Sequence, residues 1–454
     1  MLTGRDRELQ YLQKFYEKSG SHLVVLYGQR GVGKTRLVRE FAENTPGFYY
    51  ACRDASEREQ QFQWGRELDE AGVVMEGFPT WRELFAGSLQ DFSGKQVLVL
   101  DEFQYLIKDD STFVEELVSF VEERAERQEI LTVMISSAAS WVENSMIKKL
   151  GKGAFKLSGL LKIRPLGFFE LREAFPGYSA DQAFALYAVL GGNPGLWQCM
   201  SPAKSLKDNV CETILSPTGV LCGECRRILS EELRELNVYQ TILSALAGGR
   251  HKLNDIYEYT GFSRAKISVY LKNLMELELI EKVFSYDTAG REHVQKGVYR
   301  ICNHFVHFAF TYLYPNASRL EMISPQAFYE KNIVPGFRKF MCQAFREMCR
   351  EYILREAAKG QFPFAISSVG EWAGKAGDID FIARSKEGET LLALCQCERE
   401  KFPYEDYEWL LSYARKVKIN ADYIYLYTAS GFDEKLNLEA KVKRNLKLVQ
   451  ITDI

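Results

Sequence analysis

At 454 residues the chain has room for about three domains of ordinary size, at roughly 150 residues each. Hydrophobic residues make up 46% and charged residues 26%, which excludes a disordered or low-complexity polymer. The formal net charge of -3 argues against a protein that is wholly a nucleic-acid coat or a polybasic membrane binder.

No apolar run approaches the length of a membrane span, and charges stand at the start where a signal peptide needs an apolar block. A cytoplasmic protein without membrane contact is expected. The 10 cysteines are scattered and follow no disulfide framework. Cys222-Gly-Glu-Cys225 is the tight pair, with Cys211 a candidate third ligand, and reads either as a metal site or as incidental thiols.

In chain order, His22–Tyr27 reads as a buried strand. The loop Gly28-Gln29-Arg30-Gly31-Val32-Gly33-Lys34-Thr35 follows, and then a segment of helical periodicity from Arg36. Glycines let successive backbone N–H groups turn towards phosphates, and the helix N-terminus adds the positive end of its dipole. In this pattern Lys34 reaches the β- and γ-phosphates and Thr35 coordinates Mg²⁺. Gln96–Leu100 is an apolar strand ending in Asp101-Glu102, where Asp101 is expected to hold Mg²⁺ and Glu102 to deprotonate a water. A strand at 131–135 ends in Ser136-Ser137, and Ser137 is read as a contact to the γ-phosphate or the attacking water, or as a turn hydroxyl. Strands at 22–27, 47–52, 96–101, 131–136 and 161–164 alternate with helical segments and predict a parallel, doubly wound α/β sheet.

Between about 231 and 300 the pattern is three helices and a hairpin. Helices are expected from Val238, from Lys252 and over 263–274 with Ser263 as N-cap; wing strands are expected at 279–284 and 297–301 around 287–290. This winged helix-turn-helix layout offers Arg264, Lys266 and Lys272 from the recognition helix, and Arg291, His293, Lys296 and Arg300 from the wing. Charge over this segment is near balance, so duplex DNA, a protein partner and packing within the chain all remain open as its use. Further on, a helix bearing Glu347, a strand bearing Asp380 and a paired strand at 391–397 follow the PD-(D/E)xK nuclease order. The third element reads Gln396-Cys397-Glu398, an amide and an acid where such a site needs an acid and a lysine. Lys401 is close but off register, so a degenerate domain is expected over an active nuclease.

Several of these segments together resemble the archaeal-type ATPase family, a branch of the AAA+/STAND P-loop ATPases. They are Thr3-Gly4-Arg5-Asp-Arg-Glu8-Leu9, the loop at 28–35, Asp101-Glu-Phe-Gln104, Pro165-Leu166-Gly-Phe-Phe and Gly191-Gly-Asn-Pro194. Leu221 to Leu233 is similar to the family's linker, and Tyr299 to Phe308 with Tyr314-Pro-Asn316 to a later signature. Tyr423 to Phe432 is similar to its C-terminal nuclease-like domain. The resemblance implies ATP as the nucleotide and the Gly4-Arg5 turn near the adenine. Many members carry Gly-Arg before the last strand as an arginine finger; here Gly159 is followed by Leu160, leaving Lys162 or Arg164 as substitutes. The expected division is an ATPase core at 1–167, a helical lid and linker at 168–230, a winged helix at 231–318 and a degenerate nuclease-like α/β domain at 319–454. The expected activity is slow ATP hydrolysis acting as a conformational switch, the alternatives being an ATP-stabilised DNA-binding regulator and a DNA-processing ATPase-nuclease.

Overall fold

The computed structural model describes residues 4–43, 45–75, 77–89, 94–107, 112–124, 127–286, 297–374 and 377–454. Its contacts divide them into two compact units, Met1–Leu166 with Asn193–Gly195, and Gly167–Gly192 with Leu196–Ile454. Among the described residues no helix is long and apolar enough to cross a membrane.

The first unit is built on five parallel strands: β1 (His22–Tyr27), β2 (Gly47–Ala51), β3 (Gln96–Asp101), β4 (Ile130–Ser136) and β5 (Leu157–Lys162), in the order β2-β3-β4-β1-β5. β3 and β4 are buried along their whole length, which is why they read as unbroken apolar runs. Side chains alternate between the two faces of the sheet. Val25, Leu98 and Met134 join Trp64, Trp81 and Phe85 in one core, while Val24, Val99 and Val133 join Leu12, Leu37 and Phe41 in the other. The helices on the first face start on side-chain caps: the Ser56 hydroxyl accepts from Glu59 N, and Thr80 forms a capping box with Glu83. In strand order β1 lies between β4 and β5, so the connections out of β1 and β3 diverge above their C-terminal ends, where an open α/β sheet holds its ligand.

One strand differs from expectation. β5 is Leu157–Lys162 rather than 161–164, because parallel pairing with β1 runs from Leu23↔Leu157 to Tyr27↔Lys162 and ends where β1 leaves the sheet.

The second unit contains the winged helix, with helices Leu236–Ala247, Leu253–Thr260 and Arg264–Glu276 and an antiparallel pair, β6 (Ile280–Val283) and β7 (Val298–Ile301). Ser263 caps the third helix by accepting from Lys266 N. Ile242, Ile256, Ile267, Leu271, Ile280 and Ile301 form its core. The expected wing tip at 287–290, with Arg291, His293 and Lys296, lies outside the described residues. A second sheet has the order β12-β11-β10-β9-β8, from β8 (Ser368–Gly374), β9 (Gly377–Arg384), β10 (Thr390–Gln396), β11 (Tyr423–Thr428) and β12 (Leu446–Gln450). β8, β9 and β10 pair antiparallel, whereas β10, β11 and β12 are parallel.

The 22-residue helix Phe337–Ala358 connects the parts of this unit. Its Phe345 ring meets Phe184 of the helix Ala180–Leu190, its Gln343 donates to the Ile301 carbonyl, and its Glu351 carboxylate accepts from Phe168 N at the start of another helix. A carboxylate there faces the positive end of the helix dipole.

Candidate nucleotide site

The loop that follows β1 carries the backbone shape of a phosphate cradle. Gly31 (φ 82°) and Gly33 (φ 97°) lie in the left-handed region that costs other residues about 1–2 kcal/mol. At Gly31 a Cβ would also come within 2.4 Å of the Asn193 side chain. Asn193 Nδ2 donates to the Arg30 carbonyl (3.1 Å), and Gly195 N donates to the Gly31 carbonyl (3.0 Å). Asn193 and Gly195 therefore brace the loop.

Arg5 also supports the loop. Its guanidinium is 3% exposed and donates to the carbonyls of Val32 (2.7 Å) and Arg164 (2.8 Å) and to Glu8 (2.9 Å). The turn at Gly4-Arg5 is thus tied to the phosphate loop itself.

Lys34 opens the helix Lys34–Ala42 and is buried; its ammonium donates to the carbonyls of Gly28 (2.8 Å) and Gln29 (2.9 Å). Burial lowers its pKa to about 8, opposed by the nearby carboxylates of Glu102 and Asp101. Thr35 Oγ1 donates to Asp101 Oδ2 at 2.7 Å, and the Tyr49 hydroxyl donates to the same oxygen at 2.6 Å. Asp101 Oδ1 is buried and makes no hydrogen bond. An orphaned carboxylate oxygen is costly unless something binds it, and beside Thr35 it fits a divalent cation. Among the described residues no group of three or more His, Cys, Asp or Glu is set to hold a metal.

Glu102 follows directly and adopts φ 56°, ψ 44°, a left-handed conformation uncommon for a side chain with a Cβ. Its carboxylate is held from two sides. Oε2 accepts from Ser137 N (2.9 Å) and Gln104 Nε2 (2.7 Å), and Oε1 accepts from the Ser137 hydroxyl. The turn after β4 thereby aims the acid at the end of β3.

Lys162 donates to Glu143 at 2.8 Å, and Arg164 contributes its carbonyl to Arg5. Tyr49 had no signal in the sequence pattern, and Asn193 stood in the Gly191–Pro194 motif with no role assigned to it. Tyr49 reaches Asp101 because Ala51 pairs with Asp101 across β2 and β3, and Asn193 reaches the loop from 163 residues away. In the second unit Arg300 is not free to meet DNA. It is 17% exposed, forms a two-pronged ion pair with Glu371 (2.9 and 2.7 Å) and also bonds Glu281. The recognition helix presents Arg264, Lys266, Ser268, Val269 and Lys272 outward.

The model of an ATPase domain found predominantly in Archaea matches residues 2–198. That of the arsR family of bacterial regulatory proteins matches 241–282, and that of a family of archaeal and bacterial proteins of unknown function matches 309–402. The chain is similar to an uncharacterized protein of Methanocaldococcus jannaschii, 25% identical over 394 residues and 86% of each chain. It is also similar to an uncharacterized ATP-binding protein of that organism, 41% identical over 44 residues, 10% of this chain and 75% of the other. Among solved structures, a Walker-type ATPase of Pyrococcus abyssi aligns with 17% identity and a TM-score of 0.49, covering 68% of this chain and 96% of that one. With its phosphate loop, its acidic strand end and its winged helix, the chain belongs to the archaeal-type P-loop ATPase family and carries that family's ATP-binding ATPase domain.

Proposed function

We propose that the first unit hydrolyses ATP slowly, with Mg²⁺ held by Thr35 and Asp101, and that the nucleotide state acts as a conformational switch. The observation that carries this reading is the pairing of an unsatisfied Asp101 Oδ1 with the neighbouring Glu102 carboxylate, itself held by Ser137 and Gln104. Mg²⁺ held by Thr35 and Asp101 would neutralise charge on the phosphates. The backbone N–H groups of 28–35 bind the phosphates, and Lys34 turns from the Gly28 and Gln29 carbonyls to the terminal phosphate. Glu102 orients a water and takes its proton as the water attacks in line, while Ser137 keeps the carboxylate in position.

Slow turnover is supported by Leu160, which stands where many family members carry the finger arginine, and by the engagement of Lys162 with Glu143. The switch would act through Asn193, which donates to the Arg30 carbonyl of the loop. We assign the lid and linker to 168–230, the winged helix to 231–318 and a nuclease-like domain without phosphodiesterase chemistry to 319–454. The surroundings of Glu347 and Asp380 support the last assignment: Glu347 is taken by His304, and Asp380 accepts from Cys395 N.

Replacing Glu102 with Gln tests the reading. Phosphate release is expected to fall by about 10²–10⁴-fold with ATP affinity retained. Wild-type protein that releases no phosphate, with or without duplex DNA, would sink it. That result would favour a DNA-binding regulator that ATP only stabilises, a reading supported by the outward-facing Arg264, Lys266 and Lys272.

A further inference from the structure

Four of the ten cysteines meet across one seam of the second unit, between the helix Phe337–Ala358 and the end of β10. Cys342 and Cys349 are seven residues apart, two helical turns, and so share a face. Cys395 and Cys397 are two residues apart at the strand end and also share a face. The four sulfurs fall into two helix-to-strand pairs, Cys342 with Cys397 and Cys349 with Cys395, and the thiols of each pair perturb one another. In the first pair both sulfurs also converge on one acceptor, the Arg338 carbonyl, at 3.4 Å for Cys342 and 3.8 Å for Cys397.

We propose that Cys342 and Cys397 are a hydroperoxide-responsive thiol pair that closes a disulfide between the helix and the strand end.

The two members differ in the way such a pair requires. Cys342 is half-buried, whereas Cys397 is 4% exposed. The neighbouring Cys397 thiol, and then the guanidinium of Arg346 one turn along the helix, hold the Cys342 thiol below its ordinary pKa. Burial and the carboxylates of Glu398 and Asp380 work against them. The Cys342 sulfur, with burial, raises the Cys397 thiol. Thiolate is the nucleophile, so Cys342 reacts first and Cys397 resolves.

The Cys342 thiolate attacks the outer oxygen of a hydroperoxide ROOH. The O–O bond breaks, and Cys342 becomes a sulfenic acid while RO⁻ takes a proton and leaves as ROH. The Cys397 sulfur then attacks the Cys342 sulfur, the S–O bond breaks, and hydroxide leaves with the Cys397 proton as water. Two thiols lose one electron each, and one hydroperoxide is reduced by two.

The neighbouring pair is a control within the same seam. Cys349 is 1% exposed, and burial, with the neighbouring Cys349 sulfur, holds the Cys395 thiol well above its ordinary range. It should stay reduced.

The test treats the full chain with hydrogen peroxide, alkylates the remaining thiols and maps peptides without reduction. The expected product is a Cys342–Cys397 cross-linked peptide that dithiothreitol reverses. In Cys397→Ser a sulfenic acid at Cys342 should accumulate and be trapped by dimedone, while Cys395→Ser should leave the cross-link intact. In untreated protein Cys342 should be alkylated about tenfold faster than Cys395 at neutral pH, as its greater thiolate fraction requires. Cross-linking of Cys349 to Cys395 instead, irreversible oxidation of Cys342 while Cys397 is present, or complete alkylation of all four after peroxide would each overturn the proposal. The wild-type map decides the matter even where a variant fails to fold.

Discussion

Acidic residues flagged by motif occur in both units, and they meet opposite surroundings. Asp101 and Glu102 stand at the end of β3 beside the phosphate loop, with one buried oxygen left without a partner and a strained backbone at Glu102. In the second unit Glu347 is spent on the buried His304, whose ring contacts Glu347 Oε2 at 2.7 Å and the Tyr187 carbonyl at 2.9 Å. Burial alone would raise the Glu347 carboxyl, yet the His304 imidazolium, Arg300 and Gln343 draw it down to about 2. Asp380 is held by Cys395 N, with Arg346 at 3.6 Å, and burial pushes its carboxyl up to about 6. An acid keeps capacity for chemistry where the fold leaves it unsatisfied, and becomes structure where the fold supplies its partner.

Neutralising one acid from each centre should break the comparison cleanly. Asp101→Asn is expected to cut Mg²⁺-dependent phosphate release by about 10²-fold or more, at little cost to the urea midpoint. Glu347→Gln should do the reverse, destabilising the chain by about 3–5 kcal/mol because it strands the His304 charge, while phosphate release at low urea persists. If Glu347→Gln left stability unchanged, the ion pair would not be the structural device described above.

The pair also has a pH signature. The folded Glu347 value of about 2 lies below the unfolded value of about 4.3, so its contribution is full above about pH 4.3 and is lost as pH falls through 2. Acid unfolding of Glu347→Gln should show a flatter limb over that window.

Lys34 sharpens the comparison from the other centre. Because burial lowers it to about 8, nucleotide affinity should be level below that pH and weaken by up to about tenfold per unit above it, read by fluorescent-nucleotide titration. Affinity that stays level up to pH 10 would place the lysine charge outside phosphate binding. Ser137→Ala removes one hydrogen bond to Glu102 and should slow phosphate release about tenfold, in line with about 1.5–3 kcal/mol for a bond to a charged group. The smallest effect is expected at the winged helix. Arg264→Ala with Lys266→Ala should reduce the salt dependence of duplex DNA binding by about two phosphate contacts, and an unchanged slope would remove DNA as the partner of this face.

Much of the ATPase unit was legible because its signals are contiguous. A buried parallel strand must be apolar along its length, and a phosphate loop must carry glycines at fixed offsets from Lys34 and Thr35, so β1, β3, β4 and the loop could be read within a few residues of their ends. β5 was displaced because its limits are set by its neighbour's register rather than by its own composition. The recognition helix was legible from Ser263 and its periodicity, but the fate of Arg300 was not, since Glu371 lies 71 residues away.

The sequence by itself determined the local elements: the loop's backbone freedom, the acidic end of β3, the helix starts, and the absence of a lysine at Glu398. Tertiary structure alone decided which charges remain available. It placed Tyr49 and Thr35 on one oxygen of Asp101 and left the other without a partner, tied Arg5 and Asn193 to the loop, and gave Glu347 to His304. Backbone conformation is set by neighbours in the chain. The neutralisation of a charge depends on groups within a few ångströms, which only folding brings together.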